Sequence, residues 1–258
     1  MLAIIEIGNS HISVACLEGA KPVFTRRVDT DILKTDLEYV IEFRKVLAEE
    51  KLLPESVEGV VISSAVPRLQ NTVALAARRI FGKEPMVIGP DSATGFEIAL
   101  KHPQELGSNL LCSAAAAVHD YGAPVILVNM GVATSIGVID ENRRYLGGAL
   151  LPGMQSSLRA FTNITTLPEF RITNMSRDIG RTTIDAMNCG SLYGNAGMID
   201  ALLSRMIDEL HTEKPVKIVA TGRQSEILMP YLTHEIIPDR DLSLRGMYYI
   251  FTAKGGAK

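Results

Sequence analysis

The sequence predicts an α/β protein built from two similar halves. Apolar runs at residues 2–7 and 124–130 have the composition of buried strands. Each run ends at a glycine, Gly8 or Gly131, and strand-like segments that suit an antiparallel hairpin follow it. The run before Gly8 and the two segments after it predict an antiparallel three-strand meander. Gly131 follows Gly8 by 131 − 8 = 123 positions in a chain of 258 residues. This repetition predicts a duplicated α/β domain with a central cleft between the copies.

Each half continues in the same order after its hairpin. Residues 36–52 have helical periodicity, and a β-branched strand at residues 60–64 then leads into a further helix. Residues 218–222 repeat that strand-to-helix pattern in the second half. Any α/β chain alternates strand, turn and helix, so duplication and ordinary alternation both explain the pattern. We place a boundary near residue 120 and predict domains at 1–120 and 121–258.

Composition excludes several classes of protein. Hydrophobic residues make up 47% of the chain and the net charge is −3, which excludes a mainly disordered state. No basic run exceeds two residues, so we expect no nucleic-acid partner. No apolar stretch approaches the ~18 residues that a membrane span needs, so we expect no membrane partner. The three cysteines form no disulfide or zinc pattern, and we therefore expect a cytoplasmic location.

The glycine turns are candidates for a phosphate site. A turn without side-chain bulk lets backbone N–H groups approach phosphate oxygens, and residues 6–10 and 129–134 form two such turns. Gly222 ends a third strand, at a place where an adenosine could pack. For a lone Gly-Asn pair, an ordinary tight turn is the better explanation. Two turns at equivalent places favour a nucleotide site.

The same turns belong to a series of motifs that runs through nearly the whole chain. The motifs are Glu6-Ile7-Gly8-Asn9-Ser10, Ser63-Ser64-Ala65-Val66-Pro67, residues 100–110, Asn129-Met130-Gly131-Val132-Ala133-Thr134-Ser135, Tyr145-Leu146-Gly147-Gly148, Leu151-Pro152-Gly153-Met154, Leu167-Pro168, Ile179-Gly180-Arg181-Thr182-Thr183 and Ala220-Thr221-Gly222. In their order and spacing they resemble the motifs of the type III pantothenate kinases, which belong to the actin/sugar-kinase/Hsp70 superfamily.

The resemblance implies a fold, an activity and an assembly. The fold is α/β, with two duplicated ribonuclease-H-like (actin-like ATPase) domains around a central cleft. The activity is ATP-dependent phosphorylation of pantothenate, the first step of coenzyme A biosynthesis, with Mg²⁺ and K⁺ as cofactors. The assembly is a homodimer. In the family, the helix at 105–121 lies near the subunit contact. We therefore expect the dimer to form through its apolar residues Leu110, Leu111, Ala114, Ala115 and Val118.

The resemblance also carries roles to individual residues. The nucleotide-binding positions are Glu6, Gly8, Asn9, Ser10, Gly131, Val132 and Gly222. The substrate-pocket positions are Leu100, Gly107, Ser108 and Thr183. The catalytic positions are Asn109 and Leu110, and the metal positions are Glu6 and Asn129.

The sequence departs from the family at the positions that carry the chemistry. Asn109 stands where the family has the aspartate that takes the proton of the pantothenate hydroxyl, and Leu110 replaces the adjoining arginine. Leu100 replaces a pocket tyrosine, and Asn129 replaces the aspartate that holds a monovalent cation. Val132 replaces a threonine that contacts ATP, whereas Glu6 keeps a carboxylate in place of aspartate. An amide accepts no proton at any useful pH, and general-base help is typically worth ~10²–10⁴ in rate.

These departures favour a protein whose pantothenate kinase activity is lost or strongly reduced, with a partner-binding or regulatory role and an unidentified protein partner. Such a protein binds ATP weakly or not at all, and any binding depends on metal held through Glu6. The alternative is a functional ATP-dependent kinase of pantothenate or of another small hydroxyl substrate. A general sugar-type kinase or phosphatase of the same superfamily explains the motifs less well, because the retained motifs are specific to the family.

Overall fold

The computed structural model describes residues 1–164, 167–168, 170–173 and 179–255. They form two compact units. The first contains Met1–Tyr121 together with the final segment that starts at Asp241, and the second contains Gly122–Arg240. The boundary therefore lies one residue from the predicted one. The final segment differs from the prediction, which placed it in the second domain.

The strands and helices follow the predicted alternation. The strands are β1 (Leu2–Ile7), β2 (His11–Glu18), β3 (Lys21–Asp29), β4 (Gly59–Ser64), β5 (Met86–Val87), β6 (Glu97–Ile98), β7 (Val125–Met130), β8 (Ala133–Ile139), β9 (Arg144–Pro152), β10 (Lys217–Thr221) and β11 (Ile237–Pro238). The helices are α1 (Asp36–Glu49), α2 (Pro67–Phe81), α3 (Ser108–Tyr121), α4 (Met154–Ile164), α5 (Thr183–Leu210), α6 (Ser225–Leu228) and α7 (Leu242–Ala253). Within the parts of the chain described, no helix is long and apolar enough to cross a membrane.

The sheet of the first unit has the strand order β3-β2-β1-β4-β5. Strands β1, β2 and β3 form the predicted antiparallel meander, and β4 pairs in parallel with β1. The buried residues Ile5, Ile7 and Ile62 lie in one core cluster with residues of α1 and α2. Because side chains alternate along a strand, Ile4 and Glu6 point to the opposite face. Helices α3 and α7 contact β4 there, and α7 also contacts β1.

Helix α7 joins the first unit because it packs closely along α3. A Cβ atom at Gly246 would overlap the backbone carbonyl of Cys112, so the glycine permits this approach. At the other end of the contact, Asp120 accepts hydrogen bonds from Arg245 Nε (2.9 Å) and from the Tyr249 hydroxyl (2.7 Å). The packing of α3 against α7 and β4 buries most of the residues that were predicted to form the homodimer: Leu111, Ala114, Ala115 and Val118. Those four side chains are not available for that contact.

Asp120→Asn is expected to destabilise the protein at neutral pH by roughly 1–3 kcal/mol, since it removes the charged acceptor of three neighbours. Burial alone would raise the pKa of Asp120, but hydrogen bonds with Tyr249, His119 and Arg245 outweigh it and lower that pKa. The stabilisation of the folded protein by ionised Asp120 is therefore complete above the ordinary carboxyl pKa of about 3.9. It is lost as the pH falls through the lower pKa that Asp120 has in the folded state. Urea unfolding of both proteins across this range measures the difference. Asp29→Asn is the control, because the Asp29 side chain is 86% exposed.

The second unit repeats the strand pattern of the first. Its strands follow the order β11-β10-β7-β8-β9, which corresponds to β5-β4-β1-β2-β3. Strand β7 pairs antiparallel with β8 and parallel with β10. In the same way, β1 pairs antiparallel with β2 and parallel with β4. Asn129 and Thr221 are paired in this sheet, as Glu6 and Ser63 are in the first. The equivalence confirms the predicted duplication.

Candidate functional site

A group of polar side chains lies in the first unit where β1 and β4 end and α3 begins. Glu6 and Ser63 are opposite each other in the parallel pair. Ser108, the first residue of α3, is clamped to β4, because its hydroxyl donates to the Ser64 carbonyl and accepts from the Ser64 N–H, both at 2.9 Å. The start of α3 is therefore fixed against the end of the strand. Three predicted site residues, Glu6, Ser108 and Asn109, meet at this place.

The hydrogen bond of Asn109 defines what this residue offers a ligand. Its Oδ1 lies 3.1 Å from the Ser63 hydroxyl, which donates to it, and the same hydroxyl lies 3.0 Å from the Ser108 Oγ. With the amide oxygen directed at Ser63, the Nδ2 group is the other end of the amide, and it is a donor. Position 109 thus has no group that accepts a proton from a substrate hydroxyl.

Glu6 is the acidic side chain of this polar group. Burial raises its pKa, while a hydrogen bond with Ser243 and the charge of Arg27 act in the opposite direction. Ser243 belongs to the first turn of α7, so the final segment of the chain contributes to the surroundings of Glu6. The neighbouring thiol of Cys112 stays protonated, because burial and the Glu6 charge both raise its pKa.

The remaining first-unit candidates are more exposed. Leu110 and Leu100 are half-buried, the former in the first turn of α3 and the latter two residues after β6. Gly107 is exposed, and the space where a Cβ would point is open. An uncharged apolar surface replaces a cation at Leu110, so the first turn of α3 offers an anionic substrate no positive side chain at this position.

The first glycine turn is the three-residue loop 8–10 between β1 and β2. The Gly8 N–H donates to the His11 carbonyl at 3.0 Å, and the Thr30 hydroxyl donates to the Gly8 carbonyl at 2.7 Å. Asn9 and Ser10 are exposed at its tip. The equivalent loop in the second unit, residues 131–132 between β7 and β8, is one residue shorter. The flanking pairs are Ile7 with Ile12 in the first unit and Met130 with Thr134 in the second. The two turns are equivalent in topology but not in length.

The second glycine turn is held by two later segments of the same unit. The Val132 carbonyl accepts from the Gly153 N–H at 3.0 Å and from the Ser156 hydroxyl at 2.7 Å. A Cβ at Gly153 would overlap the carbonyl oxygens of Gly131 and Val132, so only glycine fits. The Val132 side chain itself is 54% exposed and offers no hydrogen bond.

Gly222 directly follows β10 and packs against the end of β7, beside the second glycine turn. Its φ of +96° lies in the region that favours glycine, and a Cβ would come within 2.5 Å of the Met130 carbonyl oxygen and 2.7 Å of Asn129 Oδ1. Asn129, Gly131, Val132 and Gly222 are thus brought together in the second unit. Thr183 is exposed at the first turn of α5, whose N-cap is Thr182.

Sequence reasoning missed two residues of this arrangement as site residues. They are Gly153 and Gln224, whose backbone N–H donates to the Met130 carbonyl at 2.9 Å. Gly153 follows a proline at the end of β9, and that Pro-Gly pair is a local turn signal. Gln224 had no local signal, because its contacts join segments that are distant in sequence.

A protein-based metal centre does not fit the residues present. Over residues 1–164, 167–168, 170–173 and 179–255, no group of three or more His, Cys, Asp or Glu side chains could hold a metal ion. Glu6 offers one carboxylate in the first unit, and Asn129 offers one amide oxygen in the second. Hard cations prefer several charged oxygen ligands, so neither position forms a cation site by itself.

Known proteins resemble this chain over most of its length. The sequence model of the family described as type III pantothenate kinase matches residues 2–205. A type III pantothenate kinase from Brevibacillus brevis is 37% identical over 252 residues, which cover 97% of this chain and 98% of the relative. A Campylobacter jejuni structure described as a conserved putative Baf family transcriptional activator has a TM-score of 0.63 at 17% identity, covering 99% of this chain and 100% of the other. A putative N-acetylglucosamine kinase from Porphyromonas gingivalis has a TM-score of 0.52 at 12% identity, with the same coverage. Together with the strand orders, these likenesses confirm the duplicated ribonuclease-H-like fold.

Proposed function

Because this chain belongs to the type III pantothenate kinase family, we propose that it is a slow ATP-dependent kinase that phosphorylates the hydroxyl group of pantothenate or a similar small molecule. The observation that carries the proposal is the second-unit arrangement of Gly131, Gly153 and Gly222. Backbone carbonyls occupy the space of a side chain at the last two positions, so the turn keeps a closely packed form without side-chain bulk. Such a turn suits the approach of nucleotide phosphates.

The first-unit polar group explains why the rate should be low. Phosphoryl transfer depends mainly on positioning and charge stabilisation, so a reaction can continue without a general base. The Asn109 amide accepts no proton, and the loss of a base costs typically ~10²–10⁴ in rate. Glu6 keeps a carboxyl group among these polar side chains.

The proposal includes Mg²⁺ and K⁺ as cofactors, and the oxygen ligands of ATP, Glu6 and Asn129 are the groups that would hold them. ATP brings its own oxygen ligands, and Mg²⁺ is usually held by substrate phosphates with one or two carboxylates. Glu6 is the residue that would supply such a carboxylate. Asn129 is the position for K⁺, which its amide oxygen would hold weakly. A homodimer also remains part of the proposal, through a surface other than the buried side chains of α3.

A second candidate function is a family member without kinase activity that acts by binding a partner. The observation that favours it is the joint change at Asn109 and Leu110, which removes both the proton acceptor and a cation from the first turn of α3. The first function predicts slow turnover, whereas the second predicts none.

A coupled ADP-release assay with pantothenate, Mg²⁺ and K⁺ separates the two candidates. We expect slow ADP release that requires both ATP and pantothenate, at a rate about 10²–10⁴-fold below that of an enzyme with an intact base. Mass spectrometry of the product should show one added phosphate. ADP release that is the same with and without pantothenate would exclude pantothenate as the substrate. A protein that also binds no ATP analogue would contradict the kinase proposal and favour the second candidate.

A further inference from the structure

Gln224 joins three segments of the second unit through its backbone and side chain. Its N–H donates to the Met130 carbonyl at 2.9 Å, next to the second glycine turn. Its side-chain Oε1 accepts from the Met154 N–H at 3.0 Å, in a buried hydrogen bond. Its own carbonyl accepts from the Leu228 N–H at 3.0 Å and so starts the short helix α6. The residue is only 7% exposed.

The hydrogen bond from Met154 to Gln224 gives the first N–H group of α4 a partner. The first N–H groups of a helix have no partner inside the helix, and a buried one is costly if it stays unpaired. Met154 is fully buried and follows Gly153, whose N–H is bonded to Val132. The Gln224 side chain therefore fixes the first N–H of α4. The Val132 carbonyl is held beside it by Gly153, which directly precedes α4, and by Ser156 in the first turn of α4.

We propose that Gln224 is a positioning residue for ATP, which holds the start of α4 against the turn at residues 130–132 so that the turn keeps the form that receives nucleotide phosphates. The inference rests on the proposed function, since it assumes that the nucleotide binds at this turn. Gln224 itself need not touch ATP. It acts through Met154, Gly153 and Val132, and its amide oxygen is the group that matters.

Two variants separate the amide oxygen from side-chain bulk. Gln224→Met has a similar length but no oxygen, so it should leave the Met154 N–H unpaired. Gln224→Glu keeps an oxygen acceptor, and at slightly acidic pH burial favours its neutral form. Gln70→Met, on helix α2 of the first unit, is the matched control for the loss of a glutamine amide.

The readouts are calorimetric binding of a non-hydrolysable ATP analogue with Mg²⁺, and KM for ATP and for pantothenate in the ADP-release assay. We expect Gln224→Met to weaken nucleotide binding about tenfold, which corresponds to ~1.4 kcal/mol, because a turn that α4 no longer holds takes the binding form only part of the time. KM for ATP should rise in parallel while KM for pantothenate stays near the wild-type value. Gln224→Glu should recover most of the affinity at slightly acidic pH, and Gln70→Met should bind as the wild type does.

Each failure has a distinct meaning. A wild-type protein that binds no nucleotide and turns over no pantothenate overturns the proposed function and this inference with it. Wild-type binding that Gln224→Met leaves unchanged overturns the inference alone. Equal losses for ATP and pantothenate, without recovery in Gln224→Glu, would indicate general structural damage and would also overturn the positioning role.

Discussion

The triple change Asn109→Asp, Leu110→Arg and Asn129→Asp is expected to raise pantothenate phosphorylation by about 10²–10⁴-fold, the usual worth of a positioned general base. Position 109 can accommodate a carboxylate, because the Ser63 hydroxyl already donates a hydrogen bond to the side-chain oxygen of Asn109 and would donate to an aspartate oxygen in the same way. The second carboxylate oxygen would then take the place of the Asn109 Nδ2 donor and face outward as a proton acceptor.

Asn109→Asp alone is expected to give much less than this gain. Leu110 would still offer no cation to the carboxylate of pantothenate, and Asn129 would still hold a cation weakly. Groups that position the substrate, the phosphate and the base act as one unit, so their effects are not additive. The expected gain from the single variant is below about tenfold, because a base helps little when the substrate hydroxyl is not held beside it.

The assay compares the wild type, the single variant and the triple variant for ADP release with pantothenate, Mg²⁺ and K⁺. Asn71→Asp, at an exposed position of α2, controls for the added negative charge. A large gain from Asn109→Asp alone would mean that only the base is missing and that Leu110 is compatible with pantothenate. No gain from the triple variant would argue that the substrate is a different molecule.

Gly222→Ala is expected to abolish measurable nucleotide binding and to destabilise the protein by roughly 1–3 kcal/mol, the cost of a side chain held in a sparsely populated backbone conformation. The φ of +96° disfavours alanine, and its Cβ would meet the Met130 carbonyl at 2.5 Å and Asn129 Oδ1 at 2.7 Å. Relief of these contacts moves either the end of β7 or the end of β10, and both border the second glycine turn.

Gly190→Ala is the matched control for Gly222→Ala. Gly190 lies inside α5, and nothing lies within 4 Å of an added Cβ. Alanine in a helix interior is favoured over glycine by roughly 0.5–1 kcal/mol, so this variant should be slightly more stable and bind nucleotide unchanged. Thermal unfolding with and without an ATP analogue measures both effects. If the ATP analogue raises the unfolding temperature of Gly222→Ala as much as that of the wild type, Gly222 is not needed for nucleotide binding and the prediction is wrong.

The local patterns of the sequence determined most elements and their repetition. Apolar runs that end at Gly8 and Gly131 predicted the two meanders, and helical periodicity predicted α1. These predictions succeed because side-chain periodicity and glycine turns are properties of neighbouring residues. The motif series also identified the family, which the match over residues 2–205 confirms. The loss of kinase activity, in contrast, remains an untested prediction.

Only the tertiary structure decided which distant segments share a unit and how the candidate side chains are bonded. The final helix contains ordinary apolar periodicity, and nothing local indicated that Gly246 would pack on Cys112 in the first unit. The same packing buries the apolar residues of α3 that suggested a dimer contact. The direction of the Asn109 amide depends on Ser63, 46 positions earlier, and the role of Gln224 depends on Met154, 70 positions earlier. Such long-range contacts form when the sheets and helices pack, so a sequence pattern, which records neighbours along the chain, does not contain them.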